Sequence, residues 1–211
     1  MKSHINFDYS IKGYTVKEKI VSEETANALC ALSLRLISNG TTIRGANDAI
    51  ETKHSFNNSN ELFWIPFIML TPIVEEVIGT TIYPSYFYQR VYTYGATLPE
   101  HVDREQCEIS ASIHLGSDSP WSIIANDNTI NLTKGDALIY KGTEVIHSRP
   151  NTYTGDYYSQ LFLHWVTDQN NIDKNNPTPQ EALRVYEKQF RDYYETDQRR
   201  QRTGTVHQRG D

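Results

Sequence analysis

The sequence predicts a mainly β protein with flanking helices, its strands rolled into a closed or jelly-roll architecture with the helices packed on one sheet. Three observations carry that reading. Two helical patterns occupy roughly the first 80 residues. The apolar period then changes from helical to alternating near Tyr83. Some eight short strands follow within about 80 residues, divided by turn-forming residues.

The first helix is predicted over 22–38, "SEETANALCALSLRLIS", with Ser22 as its cap, Glu23 and Glu24 in its first turn and Asn39-Gly40 as its stop. The polar stretch to about residue 60, rich in Asn, Ser and Thr, reads as a long loop. A second helical segment spans 61–79, where Pro66 and Pro72 imply breaks or a fresh start and Gly79 ends it. "YFYQRVYTYG" at 86–95 then alternates as a strand does. In "CEISASIHLG" at 107–116, Cys107, Ile109, Ala111, Ile113 and Leu115 share one face, and Glu108, Ser110, Ser112 and His114 the other. Further strands are predicted at "WSIIA", "TINL", "DALIY", "EVIHSR" and "YYSQLFLHWV". A polar linker at 168–179 leads to a helix at 180–195 with Leu183, Tyr186, Phe190 and Tyr193 or Tyr194 as its apolar stripe; the arginine-rich end reads as a disordered tail. The organisation is therefore one domain: an N-terminal helical support region at 1–85, a β core at 86–167, and a linker, helix and tail at 168–211.

Composition narrows the function classes. A formal charge of −6 gives no basic footprint for nucleic acid. The longest apolar stretch, 62–70, is interrupted by Pro66 and too short to span a bilayer, and the N-terminus lacks the apolar core of a signal peptide. Two cysteines, Cys30 and Cys107, suit a reducing compartment, so a cytoplasmic protein with no membrane partner is expected. Nothing in the sequence specifies an oligomeric state.

The stretch that carries chemistry is "LPEHVDREQ". Alternate residues on a strand point to one face, so His101 and Asp103 can offer an imidazole and a carboxylate to one point. His147, on the penultimate predicted strand, can return beside them in a rolled sheet. Two histidines and one carboxylate on one face of an octahedron leave three adjacent positions open. H-x-D is common by chance, and His147 alone reads equally as an ordinary strand histidine.

The surroundings add to this. "YQRVYTYGATLPEHVDREQCEIS", "GDALIYKGTEVIHSR" and "QLFLHW" follow one another in an order that resembles the Fe(II)- and 2-oxoglutarate-dependent dioxygenases, in particular their prolyl-4-hydroxylase-like branch. The resemblance covers roughly 80 residues. It implies a double-stranded β-helix of the jelly-roll or cupin kind, with the N-terminal helices on its major sheet. It also implies iron held by His101, Asp103 and His147, with 2-oxoglutarate as cosubstrate and O₂ as oxidant. Hydroxylation of a peptide, protein residue or small molecule would follow, with succinate and CO₂ as co-products. Related halogenases replace the carboxylate by a small residue, so Asp103 favours oxygen chemistry.

The resemblance departs at the cosubstrate anchor, because the last strand lacks the basic residue the branch places there. Arg149, two positions after His147, is the substitute, and Tyr92, Ser110 and Ser112 are further cosubstrate candidates. Lys141 is a weaker one, beside a turn. Arg104 and His114 are candidate substrate contacts, and His164 reads as a packed strand histidine. Two competing functions stand beside this: a cupin-like metal oxygenase or isomerase without 2-oxoglutarate, and a non-enzymatic jelly-roll binding module. In the second, His114 would close a four-ligand structural metal site.

Overall fold

The computed structural model describes residues 6–39, 43–44, 49–52 and 63–173, together with 187–188, 191–192 and 195–196, which are helical. The chain divides into two units, Met1–Asn176 and Pro177–Asp211. The expected apolar stripe at Leu183, Tyr186, Phe190 and Tyr193 or Tyr194 and the tail lie outside the described residues, as does the second half of the expected linker, 174–179.

The first unit opens with α1 (Phe7–Lys12), whose cap Asn6 accepts from the Tyr9 amide. Strand β1 (Tyr14–Lys17) follows, and then α2 (Glu23–Ser38), where Ser22 Oγ accepts from the Thr25 amide as its sequence position predicts. After β2 (Ile43–Arg44) and β3 (Ala49–Thr52), α3 runs from Trp64 to Ile78 and ends at Gly79, whose φ is 76°. It passes through Pro72 without the expected break. Pro66 falls in its first turn, where an amide has no helical partner to lose. The remaining strands are β4 (Tyr83–Tyr92), β5 (Leu98–His101), β6 (Ile109–Ser117), β7 (Ile123–Ala125), β8 (Asn128–Ile130), β9 (Ala137–Lys141), β10 (His147–Arg149) and β11 (Tyr158–Val166).

These strands form two antiparallel sheets, one ordered β1-β9-β6-β11-β4-β3-β2 and the other β5-β10-β7-β8. The architecture is a double-stranded β-helix with helices on its major sheet. β1, β2 and β3 were not expected. β1 pairs with β9, and β3 pairs with β4 in the region expected to be loop. All three are four residues or fewer, too short for alternation to rise above the polar background.

The periodicity of β6 explains how the core divides. Ile109, Ala111, Ile113 and Leu115 join Leu161, Leu163 and Trp165 of β11 in one cluster with Ala26, Leu29 and Cys30 of α2 and Phe67, Leu70 and Val74 of α3. Trp165 Nε1 also donates to Thr71 Oγ1 of α3 at 2.9 Å. The alternate residues, Ser110, Ser112 and His114, are equally buried on the opposite face, which is the interior of the barrel. Polar side chains enclosed there need partners, and those partners build the site.

Candidate active site

His101 closes β5 and His147 opens β10, and the antiparallel register sets the two directly opposite each other. Asp103 lies just past the end of β5 rather than on the strand. Its amide donates to the Gly142 carbonyl at 2.8 Å, and this turn, not strand alternation, brings the carboxylate back beside His101. Asp103 Oδ1 stands 3.8 Å from His101 Nε2 and 3.6 Å from His147 Nε2.

The donor set fits a metal ion. Each histidine turns Nδ1 to the carbonyl two residues before it, His101 to Pro99 at 2.8 Å and His147 to Val145 at 3.0 Å. Nδ1 therefore donates, and both Nε2 lone pairs face the shared point, with Tyr140 Oη in long contact with that of His147 at 3.5 Å. Ser110 Oγ donates to Asp103 Oδ2 at 2.9 Å, which leaves Oδ1 for the same point. Metal bonds of about 2.1 Å at right angles set neighbouring ligand atoms roughly 3 Å apart, slightly closer than the present separations. Burial holds the His147 imidazole below its usual pKa against the pull of Asp103, and the neutral ring is the metal-binding form. The side chains are unequally exposed: 39% for His101, 13% for Asp103 and 4% for His147.

No fourth His, Cys, Asp or Glu joins this cluster among the described residues. Asp103, Cys107 and His164 also lie close together, but Ser110 Oγ stands between Asp103 Oδ2 and His164 Nδ1, at 2.9 Å from each. Burial pushes the Cys107 thiol up to about 11, so it stays protonated, in hydrogen-bond contact with Tyr86 Oη at 2.9 Å.

The cluster borders a cavity of about 370 Å³ including its mouth. Of the residues singled out in the sequence, His101, Asp103, His147, Tyr92 and Ser112 line it, and so does His164. Ser110 acts from behind through Asp103. Gln160 Nε2 donates to Ser112 Oγ at 2.8 Å.

Four candidates sit elsewhere. His114 is outside the lining, stacked on Tyr158 at 4.4 Å, so it does not supply a fourth metal ligand. Arg104 is also outside the lining. It pairs with Asp173 at 2.6 Å and donates to Tyr86 Oη, so its charge is already matched. Lys141 pairs with Glu144 at 3.1 Å. Arg149 is fully buried, donates to the Trp121 carbonyl and Tyr158 Oη, and lies over both rings at 4.7 and 4.6 Å. It is not in the lining but adjoins it, because Tyr92 packs edge-on against Trp121 at 5.0 Å.

Sequence reasoning missed Arg90, Tyr88, Tyr140, Gln160 and Phe162, all of which line the cavity. Arg90 Nη1 donates to Tyr92 Oη at 3.2 Å. The signal for it was present, because Tyr88, Arg90 and Tyr92 alternate on one strand and share its inner face. Burial, with the Asp103 charge beside it, raises Tyr140 well above its ordinary pKa and keeps it a phenol.

Two enclosed histidines set a pH response. Burial pushes His114 and His164 down to about 4, helped at His114 by the Arg149 and Lys134 charges and opposed at His164 by the Asp103 charge. Between the unfolded value near 6.5 and that folded value, the unfolded chain binds protons that the folded chain refuses, so stability falls as pH falls. Each group contributes up to about 1.4 kcal/mol per pH unit in that window. The metal-free protein is expected to melt several degrees lower at pH 5 than at pH 7; a melting temperature unchanged between them would refute this.

No protein-family model and no curated protein matches the chain. Solved structures match its fold. HygX from Streptomyces hygroscopicus, with nickel, 2-oxoglutarate and hygromycin B bound, superposes with a TM-score of 0.65 at 11% identity, covering 77% of this chain and 86% of that one. A Pseudomonas putida prolyl-4-hydroxylase superposes with a TM-score of 0.60 at 13% identity, covering 76% and 96%. SnoN, a non-heme α-ketoglutarate-dependent epimerase from nogalamycin biosynthesis, gives 0.63 at 11% identity, covering 75% and 79%. The chain thus has the double-stranded β-helix fold of the Fe(II)- and 2-oxoglutarate-dependent oxygenases. Among the described residues, no helix is long and apolar enough to cross a membrane.

Proposed function

We propose that this protein is an Fe(II)- and 2-oxoglutarate-dependent dioxygenase that hydroxylates a peptide residue, an amino acid or another small molecule. The observation that carries this is the convergence of His101, Asp103 and His147 on one point of the cavity wall, with both Nδ1 atoms tied to backbone carbonyls and no fourth ligand among the described residues. Three protein ligands leave room for a bidentate 2-oxo acid and O₂, which a closed structural site would not. The bound iron supplies the oxygen chemistry, with succinate and CO₂ as co-products. The chain holds the ion, orients cosubstrate and substrate, and encloses them between apolar rings.

Arg149 is the anchor we assign to the distal carboxylate. It is a fully buried cation whose hydrogen-bond partners, the Trp121 carbonyl and Tyr158 Oη, are both uncharged. A buried guanidinium without a counter-charge is costly, and a carboxylate would offset that cost with a bidentate pair. Tyr92 and Ser112 line the cavity at the metal point, and Tyr92 packs against Trp121, over which Arg149 lies.

Anaerobic addition of Fe(II) and 2-oxoglutarate is expected to give a weak visible charge-transfer band, and aerobic incubation to release succinate. Absence of both overturns the reading. Arg149→Gln is expected to raise the KM for 2-oxoglutarate at least about tenfold, the scale of one lost charge-assisted contact. A larger rise in Arg90→Gln than in Arg149→Gln would move the anchor to Arg90.

A further inference from the structure

Tyr140 has a place at the metal point that the ligand set leaves unexplained. In β9 the residues alternate as they do in β6. Ala137 and Ile139 join the cluster that packs on the helices, and Leu138 and Tyr140 turn into the barrel. There the Tyr140 ring packs with Tyr14, Ile123, Leu138 and Val145, is 2% exposed, and meets the His147 imidazole edge-on at 4.8 Å. Packing fixes the ring, so only the hydroxyl hydrogen is left to turn.

Register brings that hydroxyl to Asp103. β6 lies between β9 and β11 and sets Ser110 opposite Tyr140 on one side and His164 on the other. Ser110 Oγ donates from this row to Asp103 Oδ2 at 2.9 Å. Beside the Tyr140 hydroxyl lie His147 Nε2, at 3.5 Å, the Asp103 carboxylate and the Ser110 hydroxyl. In the metal-free protein the Tyr140 hydrogen can face His147, because Nδ1 of that ring is committed to the Val145 carbonyl and Nε2 holds a lone pair. At that length the bond is weak. Giving the lone pair to a metal would end it and leave a buried hydroxyl needing an acceptor. Of the two that remain, the carboxylate is the stronger, because a charged acceptor makes a shorter and tighter hydrogen bond than a hydroxyl does.

We propose that Tyr140 is a positioning residue for the metal-binding carboxylate: once the His147 Nε2 lone pair is given to a metal, the Tyr140 hydroxyl donates to Asp103, so that two hydroxyls, Ser110 and Tyr140, hold that ligand. This rests on the reading of His101, Asp103 and His147 as the metal point. It makes the orientation of the carboxylate depend on β9, a strand that carries none of the three ligands. A tyrosine serving the apolar cluster alone would lose little by becoming phenylalanine.

The test uses the full chain, ¹³C-labelled at tyrosine Cζ, freed of metal with a chelator and titrated with Zn(II) as a diamagnetic probe. The Tyr140 signal is identified by its absence from Tyr140→Phe. In the parent, Zn(II) is expected to move that signal downfield, as donation to a stronger acceptor does. Calorimetry is expected to show Zn(II) binding at least about tenfold more weakly in Tyr140→Phe, the lower end of the cost of removing a ligand's hydrogen-bond partner. The metal-free variant should melt within a few degrees of the parent. Parental affinity in Tyr140→Phe, a Cζ signal that saturating Zn(II) leaves unmoved, or the far larger shift of an ionised phenol, which would make Tyr140 itself a ligand, would each overturn the proposal. Should Tyr140→Phe not fold, the Cζ shift in the parent decides alone. A parent that takes up no Zn(II) would remove the metal reading and this proposal with it, whereas the preceding outcomes remove this proposal only.

Discussion

Asp103→Ala is expected to abolish both the anaerobic Fe(II)–2-oxoglutarate band and succinate release, while the protein stays folded. Among the described residues the carboxylate supplies the only anionic donor at the metal point, and the two imidazoles left behind sit on the paired strands β5 and β10. Partners of metal ligands already cost about 10- to 100-fold in metal affinity when removed, so loss of a ligand itself should exceed about 100-fold. The fold has less to lose. The position is in a turn, partly exposed, and the amide hydrogen bond to Gly142 does not depend on the side chain. A melting temperature within a few degrees of the parent, combined with a lost band, is the signature. A band that survives unchanged would remove Asp103 from the site.

Gly142→Ala is expected to damage the site as severely by a different route. A Cβ at Gly142 would overlap the Cys107 carbonyl oxygen and stand 2.8 Å from both Asp103 Oδ2 and Ser110 Oγ. The backbone contact cannot yield easily, because the Gly142 amide donates to the Glu108 carbonyl at 2.9 Å and its carbonyl accepts from Asp103. Overpacking of this kind costs about 1–3 kcal/mol, enough to lower the melting temperature by several degrees. The same methyl would push the carboxylate off its Ser110 hydrogen bond, with an expected loss of metal affinity of about 10- to 100-fold. Isothermal titration with Fe(II) or a Ni(II) surrogate measures it; parental affinity in a stable Gly142→Ala protein would refute the close approach.

Gly142 also shows where a sequence stops being legible. As a letter it marks a turn after "LIYK" and nothing more, because its importance comes from atoms of Asp103, Cys107 and Ser110 that only folding brings near it. The same applies to Tyr140, whose place beside Asp103 depends on sheet closure. The barrel itself was legible, since burial on both faces leaves β6 with a strict alternation of apolar and small polar residues. Asp103 was legible as a companion of His101, but through the wrong geometry, because it sits in the turn beyond the strand. Arg90 could have been found from the strand alternation it shares with Tyr92. Arg104 and His114 could not be placed, because one finds its counter-charge in Asp173 and the other its stacking partner in Tyr158, both far along the chain.

The unequal exposure of the three clustered side chains has a kinetic consequence. If these three side chains hold an ion as proposed, one arriving from solution would meet His101 first and then the less exposed Asp103 and His147. Release would run the same route in reverse, with exchange governed by the last residue of a short strand and not by opening of the barrel. A chelator should therefore strip and a fresh ion reload this protein repeatedly, at rates insensitive to global stability.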